Sequence, residues 1–483
     1  MTLKPISKNQ SFRLPVIVLG MIWILVSSEW VLAASLPPLR DPDRIRYQPL
    51  SFEPPRVERV LLDNGLRLYI LPDKELPLVQ IKAVVQTGSI YDPSGQEGLA
   101  ELTAVTMRTG GVLGMTGDSV DETLEFMAAT FHVSQNRDSG IFSFSVLKKD
   151  LDQGFDIFSK TLMQPSFAEN KLLLGKDLKS EELRRIFDDP QKLAFREFGR
   201  LIHGESPRGR LVTQESIRTI RRDDLIRFHK RFFHPKNIII SITGDIESRE
   251  VTILVDRHFG SWTSPEGKPE PPPLPQLPEG NIFFLTKDLP QSIVVIGWLA
   301  PAKRDPYFYP FEVLDFVVGS GGFRSRIFQE IRTNLGLAYS TGSFYSAKSD
   351  YGLFGAYVLT KSESTVKVIS RIKGILQEMG EKPVPSEELN RARMAILNRF
   401  IFSFTSAEQI AFQRLMIEHE GLPDDFLVTY RPKIGKVSAE DIQNAALRNL
   451  APNRAILLIV GNDKTYKDIL RHFGRVTRIE ATF

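Results

Sequence analysis

The chain has 483 residues, 42% hydrophobic and 25% charged, which is too long for one ordinary core and points to two to four domains. It contains no cysteine, which excludes disulfides and thiolate metal sites. Its formal charge of +4 is small for its length and excludes a strongly basic nucleic-acid-binding footprint.

Lys4, Lys8 and Arg13 precede an apolar run from Leu14 to Val26, and small residues close the stretch at Ala33 and Ala34. This is the layout of a secretory signal peptide, and the run is short for a membrane span. Removing residues 1–33 takes away those three cations and Glu29, so the charge falls from +4 to +2. An exported, periplasmic protein is expected, without nucleic acid and without membrane contact after cleavage. An uncleaved segment would instead anchor it to the inner membrane.

Residues 34–56 form an extended lead-in. Val57–Leu71 carries a hairpin signal at Asp63-Asn-Gly65. Helices are expected over Gly98–Arg108, Ser119–Phe131, Lys149–Gln164, Glu169–Phe187 and Gln191–Ile202, and Phe142–Val146 alternates as a strand. The proline-dense stretch 264–280 reads as a semi-rigid linker. In the second half a glycine turn at 319–322 is followed by a helix over Ser325–Arg332, a break at Gly336 and a strand from Leu337. The glycine turn lacks the Lys-Ser/Thr of a phosphate loop. The arginines and lysines between Arg218 and Arg231 read as a solvated helix face. The Phe-rich stretch Arg399–Phe404 would line a chamber or, more ordinarily, belong to the core.

The two halves resemble each other. Asp73-Lys-Glu-Leu-Pro77 is matched by Thr286-Lys-Asp-Leu-Pro290, each before a β-rich run. Asp224-Leu-Ile with Pro235 and Gly244 is matched by Asp441-Ile-Gln with Pro452 and Gly461. Two matches in one order at nearly one offset argue for an internal duplication. The fold class expected is α+β, with two similar domains over 57–263 and 281–483. Each is a largely antiparallel sheet packed with helices, joined by the linker 264–280.

Gln86-Thr-Gly-Ser89, Glu97-Gly-Leu-Ala100, Glu181-Glu-Leu-Arg-Arg, Asp188-Asp-Pro190 and Pro235-Lys-Asn occur in the order of landmarks in a known family. On these segments the chain resembles the zinc peptidases that include pitrilysin, insulin-degrading enzyme and the mitochondrial processing peptidase. Their zinc helix would read G-x-A-H-x-x-E-H. Here the two metal-ligand slots hold Glu101 and Val105, and the general-base slot holds Ala104. An inverted zincin needs two imidazoles one helical turn apart and a carboxylate aimed at the metal's water. The third ligand position is matched by Glu182, which without imidazole partners is an ordinary carboxylate, on the helix surface or in an ion pair with a nearby arginine. None of the seven histidines form an i, i+4 pair, and His229 and His234 are five apart. No metal of its own is expected, and no catalytic residue of its own.

The resemblance also implies that Arg332 and Tyr339 match an arginine and a tyrosine that reach across to a zinc site in another domain or subunit. A guanidinium holds a carboxylate or carbonyl through forked hydrogen bonds. A phenol donates to a developing oxyanion. The chain is therefore similar to the non-catalytic, substrate-binding subunit of a heterodimeric zinc metallopeptidase. Its partners would be a zinc-binding subunit of the same family and a peptide or unfolded protein. The alternative is a zinc-free scaffold or peptide-binding protein of the same fold.

Overall fold

The computed structural model describes residues 55–265, 270, 272–274, 282–452, 454–462 and 476–483. The expected signal peptide, most of the lead-in and most of the linker lie outside the described residues, as does His472.

Two six-stranded sheets carry the structure. The first contains β1 (Glu58–Leu61), β2 (Arg67–Pro72), β3 (Leu78–Val85), β4 (Thr130–Gln135), β5 (Gly140–Leu147) and β6 (Ile238–Gly244), in the order β1-β2-β6-β3-β5-β4. The second contains β7 (Ile282–Thr286), β8 (Gln291–Ala300), β9 (Ala338–Ala347), β10 (Gly352–Lys361), β11 (Ile456–Gly461) and β12 (Val476–Ile479), in the order β12-β7-β11-β8-β10-β9.

Five strands of each sheet superpose in order and direction, with β2 paired parallel to β6 as β7 is to β11. Even the exits match. The Asp73 N–H donates to the Gly244 carbonyl at 2.8 Å, and the Lys287 N–H donates to the Gly461 carbonyl at 2.8 Å. The sixth strands differ, since β1 joins by an antiparallel hairpin and β12 joins parallel from the C-terminus. The α+β class and the duplicated architecture follow directly.

β6 (Ile-Ile-Ile-Ser-Ile-Thr-Gly) and β11 (Ile-Leu-Leu-Ile-Val-Gly) are buried along almost their whole length. Such continuous apolar runs belong to strands covered on both faces. One covering comes from each domain's own helices, the other from the opposite half. The helix Pro190–His203 places Leu193, Ala194, Phe198, Leu201 and Ile202 in the core of the second sheet. Gly297 makes this contact possible, because a Cβ there would lie 2.8 Å from Phe198 Cζ. In return the helix Ala407–His419 seats Leu415, with Phe412 and Met416, on Tyr69, Val84 and Ile239.

Two expected elements differ. The helix expected over Ser119–Phe131 ends at Phe126. Ala128 takes a left-handed φ of 48°, and the chain turns into β4, which buries Phe131. The helix expected over Ser325–Arg332 is wound as a π-helix over Phe328–Asn334, and a second π segment spans Phe316–Ser320. Between them the glycine turn approaches the sheet, where a Cβ on Gly319 would meet the Ser343 N at 2.3 Å.

The crossing is reinforced by charge. Arg59 forks onto both oxygens of Glu418 at 2.8 Å, and the Tyr69 hydroxyl donates to the same carboxylate at 2.6 Å. The hydrogen bond from Arg59 holds the Glu418 carboxyl down at about 2, against its ordinary 4.5. A depressed carboxyl stabilises the fold above its unfolded value and loses that contribution as pH falls through the folded one. Glu418→Gln should therefore cost about 1–3 kcal/mol near neutral pH. The difference from wild type should shrink between pH 4.5 and about 2, measured by urea unfolding across that range.

Candidate functional site

The helix Leu99–Thr109 carries the degenerate motif. Buried Asp92 caps its start, accepting from the Gly98 and Ala100 N–H groups at 2.8 Å each. The helix packs on Glu169–Asp188 and on Arg222–Phe232.

This packing brings Glu101 and Glu182 to one cation, the ammonium of Lys179. Its Nζ lies 2.8 and 2.7 Å from the two oxygens of Glu101 and 2.9 Å from Glu182. The lysine side chain is 13% exposed, so the charge is sheltered. Burial pulls the ammonium's pKa down, but attraction from Glu101 and Glu182 outweighs it and the net shift is upward. The ion pair foreseen for Glu182 is thus made with a lysine rather than with an arginine. Ala104 is buried and Val105 half-buried, and neither offers a donor atom to a cation.

A zinc ion does not fit these residues. The two slots that would supply imidazoles supply one carboxylate and one isopropyl group, and that carboxylate is already neutralised. Among the described residues no group of three or more His, Asp or Glu side chains is placed to hold a metal. Two of the buried histidines are engaged elsewhere. His203 donates to the Gly199 carbonyl at 2.6 Å and His229 to the Leu162 carbonyl at 2.8 Å. Burial pushes both down to about 4.

Arg332 and Tyr339 form a second, separate cluster. Arg332 lies on the π-helix, in a class of winding that recurs at functional sites. Its guanidinium stacks 4.3 Å from the Tyr339 ring, 4.8 Å from Phe328 and 5.9 Å from Phe323. One N–H donates to the Tyr339 carbonyl at 3.0 Å. Among the described residues Arg332 makes no ion pair, and the Tyr339 hydroxyl has no hydrogen-bond partner. Tyr339 is 81% exposed and Phe323 is 70% exposed. No hydrogen bond, ion pair or ring contact among the described residues joins this cluster to the Lys179 cluster.

Sequence reasoning did not single out Lys179, Phe323 or Phe328. The three-residue spacing of Lys179 and Glu182 places both on one helix face, which is a visible signal. The approach of Glu101 from another helix carries none.

Residues 70–200 match the family model described as insulinase (peptidase family M16), and residues 219–396 match the model described as the peptidase M16 inactive domain. The chain is 27% identical over 338 residues to an uncharacterized zinc protease of Rickettsia bellii, covering 69% of this chain and 81% of that protein. Its fold is similar to a peptidase M16 inactive domain from Pseudomonas fluorescens, with TM-score 0.77, 20% identity, and coverage of 84% of this chain and 98% of that one. It is also similar to the periplasmic protease PqqL of Escherichia coli, with TM-score 0.73, 15% identity, and coverage of 91% of this chain and 50% of that one. The match called inactive falls largely on the second half, whereas the altered motif helix lies inside the insulinase match. With its duplicated α+β domains and its landmark segments in order, the chain belongs to the insulinase family, peptidase family M16.

Proposed function

We propose that this protein is the non-catalytic, substrate-binding subunit of an exported metallopeptidase heterodimer. Its partner is a subunit of the same family that retains the zinc motif. One observation carries the proposal: the two half-sites have opposite states. At the motif helix a lysine ammonium bridges Glu101 and Glu182. At the other, among the described residues, Arg332 makes no ion pair and the Tyr339 hydroxyl makes no hydrogen bond.

Zinc in the partner would supply activation of the attacking water. This chain's part is to bind and polarise. Arg332, fixed by three rings, has donors left to fork onto a peptide carboxylate or carbonyl. The Tyr339 hydroxyl donates to the scissile carbonyl oxygen as it gains charge. Export is motivated by the N-terminal layout of Lys4, Lys8, Arg13 and the apolar run. A periplasmic protease among the proteins of similar fold agrees with it.

The test is purification of the tagged protein from its own host, with mass spectrometry of what accompanies it. A stoichiometric partner of similar size with an intact H-x-x-E-H helix is expected, and the pair should show chelator-sensitive peptidase activity. Recovery of the chain alone or as a homodimer would favour the zinc-free scaffold. In the reconstituted pair, Tyr339→Phe should lower kcat about 100-fold, the usual loss for one oxyanion donor. Arg332→Ala should raise KM, and unchanged kinetics in both variants would refute the half-site reading.

The lysine makes a second prediction. Glu101→His with Ala104→Glu and Val105→His rebuilds the motif on paper. Like charges a few ångströms apart repel by about 4 kcal/mol near a protein surface. Zinc titration by calorimetry should therefore show at least tenfold tighter binding once Lys179→Ala is added to the triple variant. Equal affinities with and without Lys179 would show that the lysine swings clear.

A further inference from the structure

The second domain contains a cavity of about 200 Å³, remote in sequence from both clusters described above. It lies between the helix Phe308–Asp315, the turn Phe402–Phe404, the end of Ala407–His419 and the helix Phe426–Lys436. The volume is below the roughly 300–1,000 Å³ of a drug-sized site, so its occupant is the size of one large side chain.

The walls are aromatic. Phe400 stacks on Tyr430 with centroids 4.6 Å apart, and Phe426 lies 6.1 Å from Tyr430 and 6.2 Å from Phe308. Two carboxylates reach this lining: Glu420, paired with Lys303, and Glu312. The Tyr430 hydroxyl donates to its Oε2 at 2.6 Å. Among the described residues its Oε1 accepts no hydrogen bond and the group makes no ion pair. The lysine of the lining, Lys303, is paired with Glu420 at 2.5 Å and makes no ion pair with Glu312.

A pocket filled only for packing does not call for a carboxylate, because burying one without a counter-charge is costly. Burial pushes this carboxyl up to about 7, against the opposing pull of the Tyr430 hydroxyl and of the charges on Arg399 and Lys303, neither of which pairs with it. Aromatic faces around an anionic end attract a cation that carries an apolar body, through ring quadrupoles and a charge-assisted hydrogen bond.

We propose that this cavity binds a small primary arylalkylamine, its ring among Phe308, Phe400, Phe426 and Tyr430 and its ammonium on Glu312. The site is independent of the peptidase half-site, and its test does not depend on a partner subunit.

Phenethylamine and its uncharged isostere 2-phenylethanol are the probes, titrated into the whole mature protein carrying methyl-labelled methionine. Met416 lines the cavity and reports occupancy. Phenethylamine should shift the Met416 methyl saturably in the millimolar range expected of so small a ligand. The alcohol should bind at least tenfold more weakly. Glu312→Gln should abolish that preference while keeping the wild-type melting temperature. Equal binding of the two probes, or no Met416 shift up to about 10 mM, a weak-binding limit beyond the affinity of ordinary specific sites, would overturn the proposal. Should the variant not fold, the comparison of amine with alcohol on the wild type decides the matter alone.

Discussion

The structure depends on an exchange of helices between its halves. A strand buried on both faces needs a cover on each, and in either domain the second cover is supplied from the other half. Phe198 on the recess at Gly297 and Leu415 on Tyr69 and Ile239 are the two closures. Removing either would expose one face of a sheet whose central strand is almost wholly apolar. The duplication therefore produced two copies of a domain that is incomplete alone. The proline-rich stretch joins them in sequence without separating their cores. The Arg59–Glu418 fork and the Lys82–Glu408 pair, 2.9 Å apart, tie both ends of the exchanged helix Ala407–His419 to the first sheet.

Within that frame the motif helix and the downstream helix are held close whether or not a metal joins them. Two carboxylates brought together on such helices repel one another, and a cation between them offsets that repulsion. Lys179 provides it from within the chain. The ammonium links the same two helices that a metal shared by the motif and Glu182 would link, and it does so without imidazoles. A lysine in place of a metal keeps a cation between the two helices but supplies no Lewis acidity. The fold is thereby retained as the chemistry is given up.

Much of this was legible in the sequence. β11 shows as a run of branched aliphatic residues, β6 as one interrupted only by Ser241 and Thr243, and the duplication as matched punctuation. Asp189-Pro190 marks a helix start, and Asp189 indeed accepts from the N–H groups of Gln191 and Lys192. The exchange of helices was not legible. Periodicity shows that Leu193, Phe198 and Leu201 share a buried face, but not which sheet buries it. The π segments were equally hidden, because their winding answers to a tertiary demand at Gly319 and Ser343 rather than to local propensity. The helix expected to run to Phe131 failed for a related reason. Phe131 is apolar at a helical spacing, yet the sheet claims it. At the site, Glu101, Ala104 and Val105 showed what was lost, while what replaced it required two segments 78 residues apart to meet.

Arg332 contrasts with Arg326, Arg59 and Arg196. Arg326, six residues earlier, forks onto Glu388 at 3.1 and 2.8 Å. Arg59 forks onto Glu418, and Arg196 bonds the carbonyls of Thr482 and Val212 at 2.5 Å each. Arg332 satisfies one donor on a backbone carbonyl and otherwise rests on rings. Cation–π contacts at an exposed site are worth about 0.5–1 kcal/mol each, enough to favour one orientation without using up hydrogen-bonding capacity. An arginine kept for stability would be expected to use its fork, as its neighbours do. One whose plane is fixed while its donors stay unengaged has already met part of the ordering cost that binding a carboxylate or a carbonyl would otherwise impose.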